Sequence, residues 1–286
     1  MNKTSIVEVI KRRSSWRSYD QTSSIPKDIL NEIRNFIESK NQIGPFGNKA
    51  RFELIKIPDS ERNKVNSEFG TYGFIKGAEY FIAGAIPKKN LALEDFGYLF
   101  EHIILKATEL NLGTCWLGGT FKRSTIAREI NLNEEEILPA ITPIGIPQKN
   151  RRILGKIIRL AIRAKVRKPW EQLFFSELME PIDSTILDNQ IITALEMVRL
   201  SPSAKNKQPW RLIVENNGAV HFFIQIEPKS DHILNYQKLD VGIAMCHFDL
   251  TMRNFEKHGK WQRIQPDLKN IPPTYKYVAS WVENRD

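Results

Sequence analysis

The sequence predicts an α+β protein built from two related halves. Three observations carry this reading. Long helical periodicities and short apolar runs follow one another in mixed order, without strict strand–helix alternation. The order helix, proline-containing loop, strand occurs twice, from Ile25 to Ile57 and from Ile186 to Val214. The pairs Asp95/Asp240, Gly97/Gly242, His102/His247, Leu105/Leu250 and Trp116/Trp261 all keep one offset along the chain, which points to duplication. The boundary is expected between residues 175 and 185, giving halves 1–178 and 179–286.

The first half opens with a short apolar-periodic helix (Ile6, Val9, Ile10) that ends in Lys11-Arg-Arg-Ser-Ser-Trp-Arg-Ser-Tyr19. Arginine's planar fork suits bidentate phosphate binding and serine hydroxyls add donors, although a solvated basic turn has the same composition. Ile25 to Ile37 reads as an amphipathic helix, with Pro26 in its first turn and Ile29, Ile33, Phe36 and Ile37 on one face. It leads through Gly44-Pro-Phe-Gly-Asn48 to a strand at Phe52 to Ile57, and a further strand is expected at Glu79 to Ala83. A long helix runs from Asp95 with Phe96, Ile103, Ala107 and Leu110 in one stripe, and Gly113 fits its C-cap. In the turn that follows, Leu117, Gly118 and Gly119 would let backbone N–H groups approach a planar ligand without an intervening Cβ. A purely structural glycine turn is the alternative. A strand at Ile141 to Ile146 closes the half.

The second half repeats this order. A helix carrying Ile191, Ile192, Leu195 and Val198 ends at Ser201-Pro-Ser-Ala-Lys-Asn-Lys-Gln-Pro-Trp210. Pro202 and Pro209 disfavour helix at the residues before them, so this segment is a stiff loop with hydroxyl, amide and backbone groups in a fixed array. Such an array suits a flat heteroaromatic ligand; an unliganded Pro/Ser/Asn turn is the other reading. Strands at Arg211 to Val214 and Val220 to Ile226 precede a long helix from Asp240 through Phe248, Met252 and Phe255. His102 and His247 read as packed or capped residues, because neither has a partner at metal-ligand spacing.

Composition narrows the function classes. The chain has 286 residues, 41% of them hydrophobic and 26% charged, as in ordinary soluble domains. No apolar run approaches the roughly 20 residues of a membrane helix, and Glu8 and Lys11 interrupt any signal-peptide core. Cys115 and Cys246 form no disulfide framework, so a reducing cytoplasm is expected. The net charge is +9, much of it in the run Lys149, Arg151, Arg152, Lys156, Arg159, Arg163, Lys165, Arg167 and Lys168. This run reads as a solvated connector with one or two cations recruited to a bound phosphate; nucleic acid or an anionic membrane surface are its rivals. No dinucleotide-binding, Walker, nucleophile-elbow or zinc-protease motif occurs. No His/Asp pair near Ser201 or Ser203 suggests a hydrolytic triad.

The segments Arg13-Ser-Ser-Trp-Arg17, Glu109-Leu-Asn-Leu-Gly-Thr-Cys-Trp-Leu-Gly-Gly119, Lys165-Val-Arg-Lys-Pro169 and Ser201 to Trp210 together resemble the signatures of the nitroreductase-like FMN-dependent family. With the elements between them they cover most of the chain, and the proline–tryptophan loop is the most specific. Family members are usually homodimers with FMN at the subunit interface, one subunit supplying the basic segment, the Gly-Gly turn and the late Lys/Arg and the other the Ser-Pro-Ser loop. Here the first half keeps the former, while its own loop has decayed to Gly44 to Ala50 without Gln-Pro-Trp. The second half keeps the loop but has no basic segment before its first helix and no Gly-Gly after Trp261.

The chain therefore resembles the tandem-repeat subgroup, in which a single chain imitates the dimer. The resemblance implies a nitroreductase-like fold, its two α/β halves packed through long central helices as a pseudo-dimer, with one FMN and one ruined site. It implies that Arg13, Ser14, Ser15 and Arg17, with Lys165 and Arg167, hold phosphate and pyrimidine edge; Lys149 and Arg151 are the alternative phosphate pair. Leu117, Gly118 and Gly119 would lie near the flavin ring, and Pro202, Ser203, Ala204 and Asn206 would close the site. NAD(P)H would be co-substrate, with a nitroaromatic or quinone acceptor reduced in a ping-pong cycle. Flavin N5 would carry the hydride, with no catalytic side chain and no metal. A monomer that binds neither nucleic acid nor membrane is expected. A specialised flavoenzyme (dehalogenase, dehydrogenase or flavin-fragmenting type) and a non-catalytic flavin-binding protein are the alternatives.

Overall fold

The computed structural model describes residues 4–38, 43–60, 71, 73–148, 157, 160, 163–226 and 235–284. The described residues form two compact units, one comprising Arg12–Ala164 and the other Met1–Lys11 with Lys165–Asp286.

In the Arg12–Ala164 unit the chain runs from the end of α1 (Ile6–Arg12) through α2 (Lys27–Glu38), β1 (Arg51–Lys56), β2 (Tyr80–Pro87), α3 (Ala92–Glu109), β3 (Gly113–Thr114), α4 (Arg123–Glu129), β4 (Glu136–Ile137) and β5 (Ile141–Gly145). The strands make one sheet in the order β1-β2-β5-β3, with β4 also on β2, and every pairing is antiparallel. β2 is buried along almost its whole length because both faces of the sheet are covered. On one face Phe81, Ala83 and Ala85 join Tyr19, Leu117, Phe121, Ile126 and Ile141 in a core cluster. On the other, Phe52 packs on Phe96 and Phe100 of α3, with ring centroids 5.5 Å apart in each case. α3 is buried on nearly every turn, so it is a core helix with a polar exception at Glu94, Asp95 and Glu101.

The other unit contains β6 (Phe174–Ser176), α5 (Asn189–Arg199), β7 (Trp210–Val214), β8 (Val220–Gln225), α6 (Tyr236–Asn254), β9 (Gly259–Gln262) and β10 (Tyr275–Glu283). Its sheet order is β6-β7-β8-β10-β9, with β6 parallel to β7 and the remaining pairs antiparallel. Asp188 and Asn235 start the two long helices by accepting the backbone N–H two residues on, from Gln190 and Gln237. α6 is wholly buried over its middle turns, and Phe248 meets Phe222 of β8 and Trp281 of β10 edge-on.

The α+β class holds in each unit, and each repeats the expected order of helix, loop, two strands and buried helix. The compact units divide at Ala164/Lys165, whereas the sequence placed the boundary at 178/179. The cause is β6: Leu173 and Phe174 are fully buried, and Phe174 to Ser176 pair with Leu212 to Val214. A three-residue edge strand leaves no periodicity to read. Gly113 is not the C-cap of α3; Leu110 is, and Asn111 takes the left-handed backbone (φ 61°). Gly113 lies in β3, where a Cβ would meet Trp16 and Tyr19 at 3.1 Å. Most of the basic run from Lys149 to Arg159, including Lys149 and Arg151, lies outside the described residues.

Candidate functional site

The first signature segment and the glycine turn come together in the Arg12–Ala164 unit. Ser15 bridges Thr114 in parallel register, and the Trp16 N–H donates to the Thr114 carbonyl at 2.8 Å. The Arg13 to Arg17 stretch is thereby laid beside the strand that leads directly into Leu117, Gly118 and Gly119. Further along, the Tyr19 N–H donates to the Lys76 carbonyl and the Lys76 N–H to the Arg17 carbonyl, so the segment is sewn in from both ends. Leu117 is buried and exchanges both backbone hydrogen bonds with Ile141, whereas Gly118 is half-buried and Gly119 exposed. Arg123 donates to the Gly118 carbonyl at 2.7 Å and stacks on the Phe121 ring, which fixes the turn from the α4 side.

Glu101 is the site's hidden organiser. It is fully buried on α3, accepts the Trp116 indole N–H at 2.6 Å and faces Arg13 Nε at 3.8 Å. One carboxylate thus orients a member of each signature segment. Arg13 Nε is itself buried and finds no hydrogen-bond partner among the described residues. Such a donor favours an added anionic or carbonyl oxygen nearby, because a buried polar group without a partner costs about 1–3 kcal/mol. Ser14, Ser15 and Arg17 are half-buried and remain reachable.

In the Lys165–Asp286 unit the late basic segment and the Ser-Pro-Ser loop are knitted together. Arg167 donates to the Leu200 carbonyl at 3.2 Å and to Asn206 Oδ1 at 3.3 Å, and Asn206 Nδ2 donates to the Val166 carbonyl at 2.9 Å. Gln208 Oε1 accepts the Lys168 N–H, and the Gln208 N–H donates to Ser203 Oγ. The late basic pair thus falls in the unit of the loop and not with the first half, and the Arg167 fork, expected on phosphate, braces the loop through Leu200 and Asn206, while Lys165 stays exposed. Within the loop Lys205, Asn206 and Gln208 all have positive φ (51°, 57° and 50°). Non-glycine residues held this way store strain, which clusters at functional sites where surrounding bonds over-determine the backbone. Pro202, Ser203 and Ala204 are half-buried on this frame.

Each unit also holds its own loop from an aspartate near the start of its buried helix. Asp95 accepts the N–H groups of Phe46 and Asn48 and the Asn48 amide, each at 2.9 Å. Its carboxylate lies so close to Gly44 that a Cβ there would sit 2.3 Å from it. Asp240, at the matching position, accepts only the Ala204 N–H, at 3.0 Å, and its second oxygen is buried without a hydrogen-bond partner among the described residues. Burial raises both carboxyl groups. The donors at Asp95 oppose the rise, whereas Asp240 is pushed up to about 8 despite the Ala204 N–H and the nearby Lys207. The Gly44–Asn48 loop is therefore closed on Asp95, whereas the Ser201–Trp210 loop leaves one Asp240 oxygen without a hydrogen-bond partner among the described residues.

Sequence reasoning found the loops and the turn but missed the residues that position them. Glu101 lies off the Phe96/Ile103/Ala107/Leu110 stripe of α3 and carries no signal of its own in the sequence, while the Asp95/Asp240 match shows a shared position without a role. His247, fully buried, contacts the Met197 carbonyl through Nδ1, and His102 packs edge-on against Phe36; both are structural, as expected. Among the described residues no group of three or more His, Cys, Asp or Glu side chains could hold a metal ion.

Two layered α+β units with a buried helix on each sheet define the nitroreductase fold. The structure covers 96% of a "putative nitroreductase" from Thermotoga maritima with 100% of its own length, at a TM-score of 0.61 and 19% identity. A nitroreductase family protein of Clostridium novyi (20% identity, 54% of this chain, 91% of that one, TM-score 0.39) is a further solved match. So is an FMN-dependent nitroreductase of Clostridium difficile (20%, 50%, 88%, 0.39). The chain belongs to the family described as "Putative TM nitroreductase", whose model matches residues 5–252. Over 148 residues, 50% of the chain, it is also 32% identical to a ribonuclease E/G-like protein of Porphyra purpurea, and it spans 26% of that relative's length.

Proposed function

We propose that this protein is an FMN-dependent oxidoreductase that takes electrons from NAD(P)H and reduces nitroaromatic or quinone-type acceptors. The observation that carries the reading is the bridge from Ser15 to Thr114, which sets a basic, hydroxyl-rich segment against the Leu117–Gly119 turn inside a nitroreductase-family chain. The residues fit the cofactor: a buried arginine nitrogen and exposed glycine backbone in one unit, and a braced, strained loop with an unsatisfied aspartate in the other.

In this reading Arg13, Ser14, Ser15 and Arg17 bind phosphate and pyrimidine edge, with Lys165 as a further cation. Arg167 holds the Pro202–Asn206 loop in the shape that receives the ring. Assigning both sets of residues to one FMN rests on the family resemblance. When bound, FMN supplies reversible hydride chemistry at its N5 position. The protein's contribution is to orient the ring and, through backbone N–H groups at Gly118 and Gly119, to offset negative charge on it. A single chain that supplies both sets would work as a monomer, and a cytoplasmic location matches its two free cysteines, both buried. No helix of the described residues is long and apolar enough to cross a membrane.

The test is steady-state oxidation of NADH and NADPH by the FMN-loaded protein, with nitrofurazone or menadione as acceptor. Acceptor-dependent oxidation with parallel double-reciprocal plots is expected. FMN-loaded protein that oxidises neither nucleotide with either acceptor would contradict the reading and favour a flavin-binding role without turnover.

A further inference from the structure

The sheet β6-β7-β8-β10-β9 buries one face against α6, through Phe222 and Trp281. Side chains alternate along a strand, so their neighbours His221 and Ser280 project from the opposite face. These two are direct cross-strand partners in the β8–β10 register. There, Ser280 Oγ lies 2.7 Å from His221 Nδ1, and His221 Nε2 lies 2.8 Å from Glu215 Oε1. Glu215 is fixed in turn: Asn217 Nδ2 donates to its other oxygen at 2.6 Å, and the Gly218 N–H closes the turn on its carbonyl. A hydroxyl, an imidazole and a carboxylate therefore stand in line, each oriented by the next.

All three residues line one cavity of about 510 Å³, whose other walls include Ala219, Ile264 and Pro266. The Tyr277 hydroxyl donates to the Ile264 carbonyl at 2.8 Å and lies 2.7 Å from Ser280 Oγ, which ties the Ile264 wall to β10. His221 and Ser280 are each only 4% exposed, yet both border this space of ligand size, whose walls mix apolar Ala219, Ile264, Pro266 and Val282 with polar side chains.

We propose that Ser280 and His221, positioned by Glu215, form a hydrolytic site for small carboxylic esters, independent of FMN. Ser280 Oγ attacks the ester carbonyl carbon while its proton passes to His221 Nδ1. The C–O bond to the alcohol then breaks, and the alcohol leaves with that proton, giving an acyl-serine. Water, deprotonated by His221, attacks the acyl carbon and releases the carboxylic acid, and Ser280 recovers its proton. Burial holds His221 below its ordinary range, against the opposing hydrogen bond that its Nε2–H donates to Glu215, so a neutral base is available near pH 7. Burial likewise raises the Tyr277 phenol, which keeps it a donor.

The experiment treats the full-length protein with a fluorophosphonate probe, locates the label by peptide mass spectrometry, and follows 4-nitrophenyl acetate hydrolysis. One label on Ser280 is expected, with hydrolysis falling on the order of 100-fold in Ser280→Ala and His221→Gln while the flavin spectrum is retained. No label, a label elsewhere, or wild-type hydrolysis by a folded Ser280→Ala would overturn the proposal. Should either variant fail to fold, the position of the label on the unaltered protein decides.

Discussion

Asp240 shows how one side chain sets a measurable property. Its carboxyl is buried with a single N–H donor, so the neutral form is favoured and its pKa rises to about 8. An unfolded aspartate titrates at about 3.9. The folded state therefore binds the extra proton between those values, and the stability that this proton lends is full below about pH 4 and lost as pH rises towards 8. Asp240→Asn keeps an oxygen for the Ala204 N–H and removes the titration. The stability of the unaltered protein relative to this variant is expected to fall by up to about 1.4 kcal/mol per pH unit across that window, measured by urea denaturation. A difference that does not change with pH would refute the assignment. Glu101 makes the complementary case. Glu101→Ala strands Arg13 and Trp116, and a loss of about 3–5 kcal/mol is expected, because removing one partner leaves an uncompensated buried charge. Neither role was legible beforehand: sequence marks these residues as acidic, and only the fold reveals how many donors each receives.

At the level of elements, the two loops differ in how they are held. The Gly44–Asn48 loop is closed by three donors on Asp95 and uses Gly47 (φ 85°) where a left-handed residue is needed. The Ser201–Trp210 loop places Lys205, Asn206 and Gln208 in that region without glycine and depends on Arg167 as a brace. Lys205→Gly should stabilise the protein by about 0.5–1 kcal/mol by relieving the left-handed strain, whereas Arg167→Ala should loosen the loop and raise the FMN dissociation constant. Equilibrium unfolding and flavin fluorescence titration check the two. The helices and inner strands were readable because apolar spacing reports burial directly: α3, α5, α6, β7 and β8 lie within a few residues of their sequence-based limits. β6 and β9 were not, since short edge strands such as Gly259–Gln262 carry mixed polarity, and β10, although it lies between β8 and β9, mixes Lys276, Ala279 and Ser280 among its apolar residues. The ester-hydrolysis candidate was hidden for a related reason: its members are joined by strand register, which residue spacing does not display.

The described residues of the chain form two α+β units, and on the proposed reading their sites are complementary. The basic segment and glycine turn lie in one unit, and the proline–tryptophan loop in the other. Changing Arg17 to Ala should therefore weaken FMN binding. Asn48→Ala, which strips two hydrogen bonds from its side chain, should lower stability by about 1–3 kcal/mol without altering flavin content. Equal loss of flavin in both variants would mean that both sites function. The most direct measurement is the visible spectrum of the FMN-saturated, desalted protein, read as a flavin-to-chain ratio. Complementary halves predict a yellow protein with one FMN per chain; two FMN per chain, or a colourless protein, would contradict it.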